Sequence, residues 1–95
     1  MVAVAGLTRR ERSFLYLKDV KRWRSWGGLL AAPVKRTRDG EVKLGIVFAL
    51  KGAREAYPVV YLINVFAISR EALQRADTWE YEDVESLVND GWVID

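Results

Sequence analysis

No cysteine and no histidine occur among the 95 residues. The first absence excludes disulfides and thiolate chemistry; the second removes the commonest metal ligand and general base. No apolar run approaches the roughly 20 residues of a membrane-spanning helix. Met1 to Gly6 is too short for a signal peptide, so a cytoplasmic protein with no membrane partner is expected. Gly-x-Gly-x-x-Gly, Walker-type and nucleophile-elbow patterns are missing as well. The chain is therefore expected to be neither an enzyme nor a cofactor carrier. Thermally labile residues are scarce: one Met, Gln74 as the single Gln, and Asn64 and Asn89 as the two Asn. That depletion is a trend of proteins from thermophiles.

Basic residues are missing from one end. Residues 77 to 95 hold seven acids and no Lys or Arg, whereas residues 1 to 38 stand at +8 and residues 39 to 76 at +1. Such asymmetry suits a polyanion-binding end and an acidic end. It equally suits two solvated faces that complement each other within the fold. The acids Glu80, Glu82, Asp83 and Glu85 read as a solvated helix face rather than a cation site.

What is present centres on Trp26 to Ile68. Asp39-Gly40 sits between two alternating runs and favours a two-residue type I′ turn, because both central residues need positive φ. If Arg38 and Glu41 close that hairpin, opposed residues have numbers summing to 79 and share a face. One face then carries Val42, Leu44, Ile46, Phe48 and Leu50 opposite Thr37, Lys35, Pro33, Ala31 and Leu29, and is expected to meet the core. The other carries Arg36, Arg38 and Lys43 at the turn end, then Val34, Ala32, Leu30, Gly45, Val47 and Ala49. Pro33 cannot donate to a ladder, which places the first strand at an edge or puts a bulge there. A third strand is expected over Val59 to Ile68, apolar on both faces, with Asn64 as a core amide or a binding group. The length allows one domain with a single core.

Helices flank this sheet. Thr8-Arg9-Arg10-Glu11 has capping-box spacing and starts the first. Its apolar positions Phe14, Leu17, Val20, Trp23 and Trp26 recur every three residues, so the stripe winds around the axis and cannot all meet one core. Either the helix ends near Lys21 or the two Trp lie on another surface. Gly27-Gly28 interrupts the chain before the first strand, and Met1 to Leu7 reads as a short edge strand or a loose terminus. Ser69 caps a short helix, and Asp77 to Glu80 reads as a second capping box. The helix expected from it buries Tyr81, Val84, Leu87 and Val88, with Gly91 as its left-handed stop. Trp92 to Ile94 is left as a fourth strand or a packing plug. The fold class is α+β: an antiparallel sheet of three to four strands with an N-terminal helix and C-terminal helices.

Binding is the function class that these residues favour. Single-stranded nucleic acid is held by a positive groove along the phosphates and by aromatic faces under the bases. Candidate cations are Lys21, Arg22, Arg24, Arg36, Arg38 and Lys43; candidate platforms are Trp23, Trp26, Tyr57 and Tyr61. Core packing is the competing reading of both Trp. Lys21 to Trp26 is the densest mixture of cations and rings in the chain. The order of basic helix, aromatic-rich antiparallel strands and later helices resembles the thermophilic archaeal single-stranded-DNA-binding proteins that lack an OB-fold, the ThermoDBP family. That resemblance implies a cleft over the sheet that takes bases of ssDNA or RNA without reading sequence. The alternative is a protein-interaction module, an inhibitor or accessory subunit, docking through an open sheet face or the acidic C-terminal helix. A homodimer is expected, because a strand apolar on both faces leaves surface to cover.

Overall fold

The computed structural model describes residues 8–26 and 29–95, with only the backbone described at Arg24, Trp26 and Val65. The expectations for Met1 to Leu7 and for Gly27-Gly28 lie outside the described residues. Five strands lie in chain order in one antiparallel sheet: β1 (Arg24–Trp26), β2 (Leu29–Arg38), β3 (Glu41–Leu50), β4 (Val59–Tyr61) and β5 (Thr78–Glu80). A sixth, β6 (Val93–Ile94), pairs with β2. The α-helices are α1 (Arg9–Leu17), α2 (Arg70–Arg75) and α3 (Val84–Asn89). The architecture is α+β with an antiparallel sheet, and it has more strands than the three or four expected. None of the described helices is long and apolar enough to cross a membrane.

The central hairpin follows from its turn. Asp39 and Gly40 have φ of 53° and 80°, the two positive values that type I′ demands. From that turn the register runs unbroken from Arg38↔Glu41 to Leu29↔Leu50. Pro33 meets its constraint at the outer edge of β2. There β1 pairs with residues 29 to 31 and β6 with Val34 and Lys35, so the missing N–H falls between the two ladders. The Pro33 carbonyl on that edge accepts from the Asp95 amide at 3.1 Å.

The hairpin departs from the sequence expectation in part: Ile46 and Phe48 are buried as expected, at 0% and 6% exposure, but the main core cluster lies on the opposite face. The core lies on the face of Ala32, Val34, Val47 and Ala49, with Leu17, Val20, Trp23, Val84, Leu87, Val88 and Trp92 packed over it. Val42, Leu44 and Leu50, expected inside, are exposed on the other face. The physical reason is volume: the bulk of the core comes from indoles and helices, and they need a sheet surface of small residues. Gly45 shows the fit most directly, since a Cβ there would collide with Val60 Cγ1 and lie 3.3 Å from Trp92 Cζ3.

Three further expectations are corrected by local hydrogen bonding. The third run forms a strand only over Val59–Tyr61, because the Asn64 side chain accepts from the Phe66 amide at 2.9 Å and turns the chain into a 3₁₀ segment. Asn64 is thus an exposed cap and neither a core amide nor part of a long strand. Asp77 to Glu80 forms β5 instead of starting a helix; Asp83 caps α3, accepting from the Ser86 amide at 2.7 Å. The Ser86 side chain, and after it that backbone bond, lower the Asp83 carboxyl from its ordinary value. Val84, Leu87 and Val88 are buried as read, and Gly91 stops α3 at φ 104°. Both readings of the last residues hold, each for its own part: Trp92 is a fully buried plug, and β6 comes directly after it.

The N-terminal helix begins as its box dictates. Thr8 Oγ1 accepts from the Glu11 amide at 3.1 Å and Glu11 Oε1 accepts from the Thr8 amide at 3.2 Å. The winding stripe is resolved by ending α1 at Leu17 and inserting a 3₁₀ turn, Val20–Arg22, before β1.

Candidate docking face and the basic end of the hairpin

Trp23 leaves that 3₁₀ turn pointing inward. It is 5% exposed, its Nε1 donates to the Tyr16 carbonyl at 2.9 Å, and its ring stacks on Tyr16 with centroids 6.1 Å apart. It is therefore a core residue and no platform for a base. Lys21 and Arg22 on the same turn are exposed, with Arg22 Nε 3.1 Å from Asp19 Oδ2. The backbones of Arg24 and Trp26 pair with Ala31 and Leu29; their side chains lie outside the described residues.

The cations at the turn end sit on the core side of the hairpin, and the acidic C-terminal segment engages them. Arg36 is only 8% exposed. Its Nε donates to the Asp90 carbonyl at 2.8 Å, and its guanidinium lies 4.9 Å over the Trp79 ring. Arg38 Nη2 donates to the same carbonyl at 2.9 Å and to Asp90 Oδ1 at 3.3 Å. Lys43 pairs with Glu41 at 3.0 Å and lies 5.7 Å from the Trp79 ring. Tyr81 donates to Asp90 Oδ2 at 2.5 Å and accepts from Trp92 Nε1 at 2.9 Å. Burial, then the bond to Asp90, pushes the Tyr81 phenol up to about 12. Arg36 is thus a buried structural cation rather than a phosphate ligand, because leaving Asp90 would strand it without a partner. The two charged ends of the sequence complement each other at this point.

The opposite face holds the aromatic candidates. A groove of about 550 Å³ is lined by Leu29, Phe48, Tyr57, Val59, Tyr61, Leu73 and Gln74. Tyr61 meets Phe48 edge-on with centroids 5.4 Å apart, and Tyr57 is 51% exposed. Val42 at 55% and Leu50 at 49% extend the apolar surface along β3. Tyr57 and Tyr61 are brought together, while Arg36, Arg38 and Lys43 lie across the sheet from them. Leu29, Phe48, Leu50, Leu73 and Gln74 were not singled out as site residues from sequence. For Phe48 and Leu50 the signal was the apolar ladder of even-numbered β3 residues, read as pointing inward. Among the described residues no cluster of Asp and Glu converges as a metal site.

A second groove, between α1 and α3, is bounded by Arg10, Glu11, Phe14, Glu85 and Asn89, and Arg10 donates across it to Asn89. Comparison of the chain with protein-family models, with curated proteins and with solved structures finds no match.

Proposed function

We propose that the protein is an interaction module whose docking surface is the open face of the sheet. One observation carries this reading: the helices α1 and α3 and Trp92 pack on one face, while on the other Tyr57 stands exposed in an apolar groove and Leu50, Leu44 and Val42 are exposed along β3 on either side of the buried Ile46 and Phe48. Exposed apolar side chains beside an apolar groove are the mark of a partner site. The chemistry it fits is an apolar or aromatic anchor inserted between Phe48, Tyr57 and Tyr61, with the Gln74 amide as a polar contact at the rim.

The test is photo-cross-linking from a photoreactive phenylalanine at Tyr57 or Leu50 in the protein's own cells, compared with the same group at exposed Arg12 on the helical side. Discrete adducts from the two sheet positions and none from Arg12 support the reading. Equal or absent adducts at all three contradict it.

Single-stranded nucleic acid is the second reading, favoured by Tyr57 and Tyr61 sharing one groove. Base stacking there is worth about 1 to 3 kcal/mol per base. Titration of labelled oligo-dT against Tyr57→Ala separates the two: loss of oligonucleotide affinity selects nucleic acid, and an absence of binding by the unsubstituted chain leaves protein docking.

A further inference from the structure

The far end of the hairpin has an unused edge. In β3 the even-numbered residues turn their backbone groups away from β2: the Phe48 carbonyl accepts from the Tyr57 amide at 2.9 Å and the Leu50 carbonyl from the Ala53 amide at 3.0 Å, both on that side. β4 pairs with β3 only at Ile46 and Val47. Val42 and Leu44 therefore present N–H and C=O groups to this edge, and among the described residues nothing pairs with them. Natural sheets seldom leave such an edge bare beside exposed apolar side chains, since it is a template for another strand. Here both side chains are exposed on the open face.

We infer that this edge takes the same edge of a second copy of the chain, antiparallel, with the two-fold axis at Val42. The register is selected by charge. With Val42 opposite Val42, each Glu41 faces Lys43 of the other copy in a close, non-hydrogen-bonded pair, twice by symmetry. Glu41 and Lys43 already lie 3.0 Å apart within one chain and both reach solvent, so the dimer joins two ion pairs into an alternating quartet. Moving the axis to Lys43 sets like charges opposite each other, which is destabilising. Moving it to Leu44 sets Val42 against Ile46, whose edge β4 occupies. An axis at Val42 runs perpendicular to the sheet, so both open faces end on the same side. The dimer then presents two docking grooves in one continuous surface, which gives a partner with two anchors the gain of a bivalent contact.

Sedimentation equilibrium of the full chain tests this independently of what docks on the open face. The unsubstituted chain forms a dimer between about 1 and 100 µM. Glu41→Lys and Lys43→Glu each weaken self-association roughly tenfold or more, because each sets like charges across the axis twice. A one-to-one mixture of the two variants recovers the dimer, since each Lys then meets a Glu. Val42→Pro abolishes it without touching the β2 ladder, because the lost N–H points away from β2. Circular dichroism confirms that each variant is folded, and an unfolded Val42→Pro leaves the mixing experiment as the decisive arm. A monomer at all concentrations overturns the inference. So does a dimer indifferent to both charge substitutions, which assigns association to the open face instead.

Discussion

Arg36 and Asp90 stand 54 positions apart and join the central hairpin to the C-terminal segment: the guanidinium Nε donates to the Asp90 carbonyl at 2.8 Å and Nη2 reaches Asp90 Oδ1 at 3.4 Å. The contact is shielded on one side by Trp79, beneath the guanidinium. Asp90→Ala keeps the carbonyl bond but removes the counter-charge of a buried arginine. A loss of about 1 to 3 kcal/mol in urea unfolding is expected. A double-mutant cycle with Arg36→Met should recover part of it, because the stranded charge is then gone.

Tyr81 makes the same junction sensitive to alkali. Its folded pKa of about 12 stands above the ordinary value of 10, so the fold holds the phenolic proton more tightly than the unfolded chain does. The stabilisation is complete below pH 10 and is lost as pH rises through 12. Tyr81→Phe should flatten stability over that window. It should also lower stability at pH 7 by about 1 to 3 kcal/mol, since the buried Trp92 indole loses its acceptor.

Gly45 leaves no room for a side chain in the core. Gly45→Ala should cost about 1 to 3 kcal/mol in thermal or denaturant unfolding, because Val60 and Trp92 must move apart to admit one methyl group.

Trp23 and Tyr57 should separate cleanly. Trp23→Ala empties a core site and is expected to cost about 3 to 5 kcal/mol, whereas Tyr57→Ala stays within about 0.5 kcal/mol. Urea midpoints of the two variants check this. A destabilised Tyr57 variant beside a near-neutral Trp23 variant contradicts the assignment of core and surface.

The hairpin was legible in the sequence because its cause is local. Asp39-Gly40 admits one turn, and the turn fixes every pair down to Leu29 and Leu50. Which face turns inward was not legible, because it depends on what arrives from elsewhere in the chain. Val42, Leu44 and Leu50 are larger than Ala32, Gly45 and Ala49, and apolar size alone favours the wrong side. The small residues are inside because Trp92 and the helices come down on them. Large apolar residues on a surface are ordinary, so an apolar ladder is weak grounds for orientation. The run after Pro58 misled in another way: its composition suits a strand, yet one Asn side chain bonding to a nearby amide ends the ladder at Tyr61. Of the site, the exposed ring of Tyr57 and the half-buried ring of Tyr61 were both picked out in the sequence. The pairing of Arg36 and Arg38 with Asp90 was foreshadowed only by the opposed charges of the two ends.

The absence of cysteine allows the most direct test of which face is free. Single cysteines at Val42, Leu50, Val34 and Val47, reacted with a thiol reagent under native conditions, report burial position by position. Rapid labelling at positions 42 and 50, with protection at 34 and 47 until the chain unfolds, is the expected result. Protection at 42 and 50 with rapid reaction at 34 and 47 would place the helices on the other face and contradict the docking surface proposed for this protein.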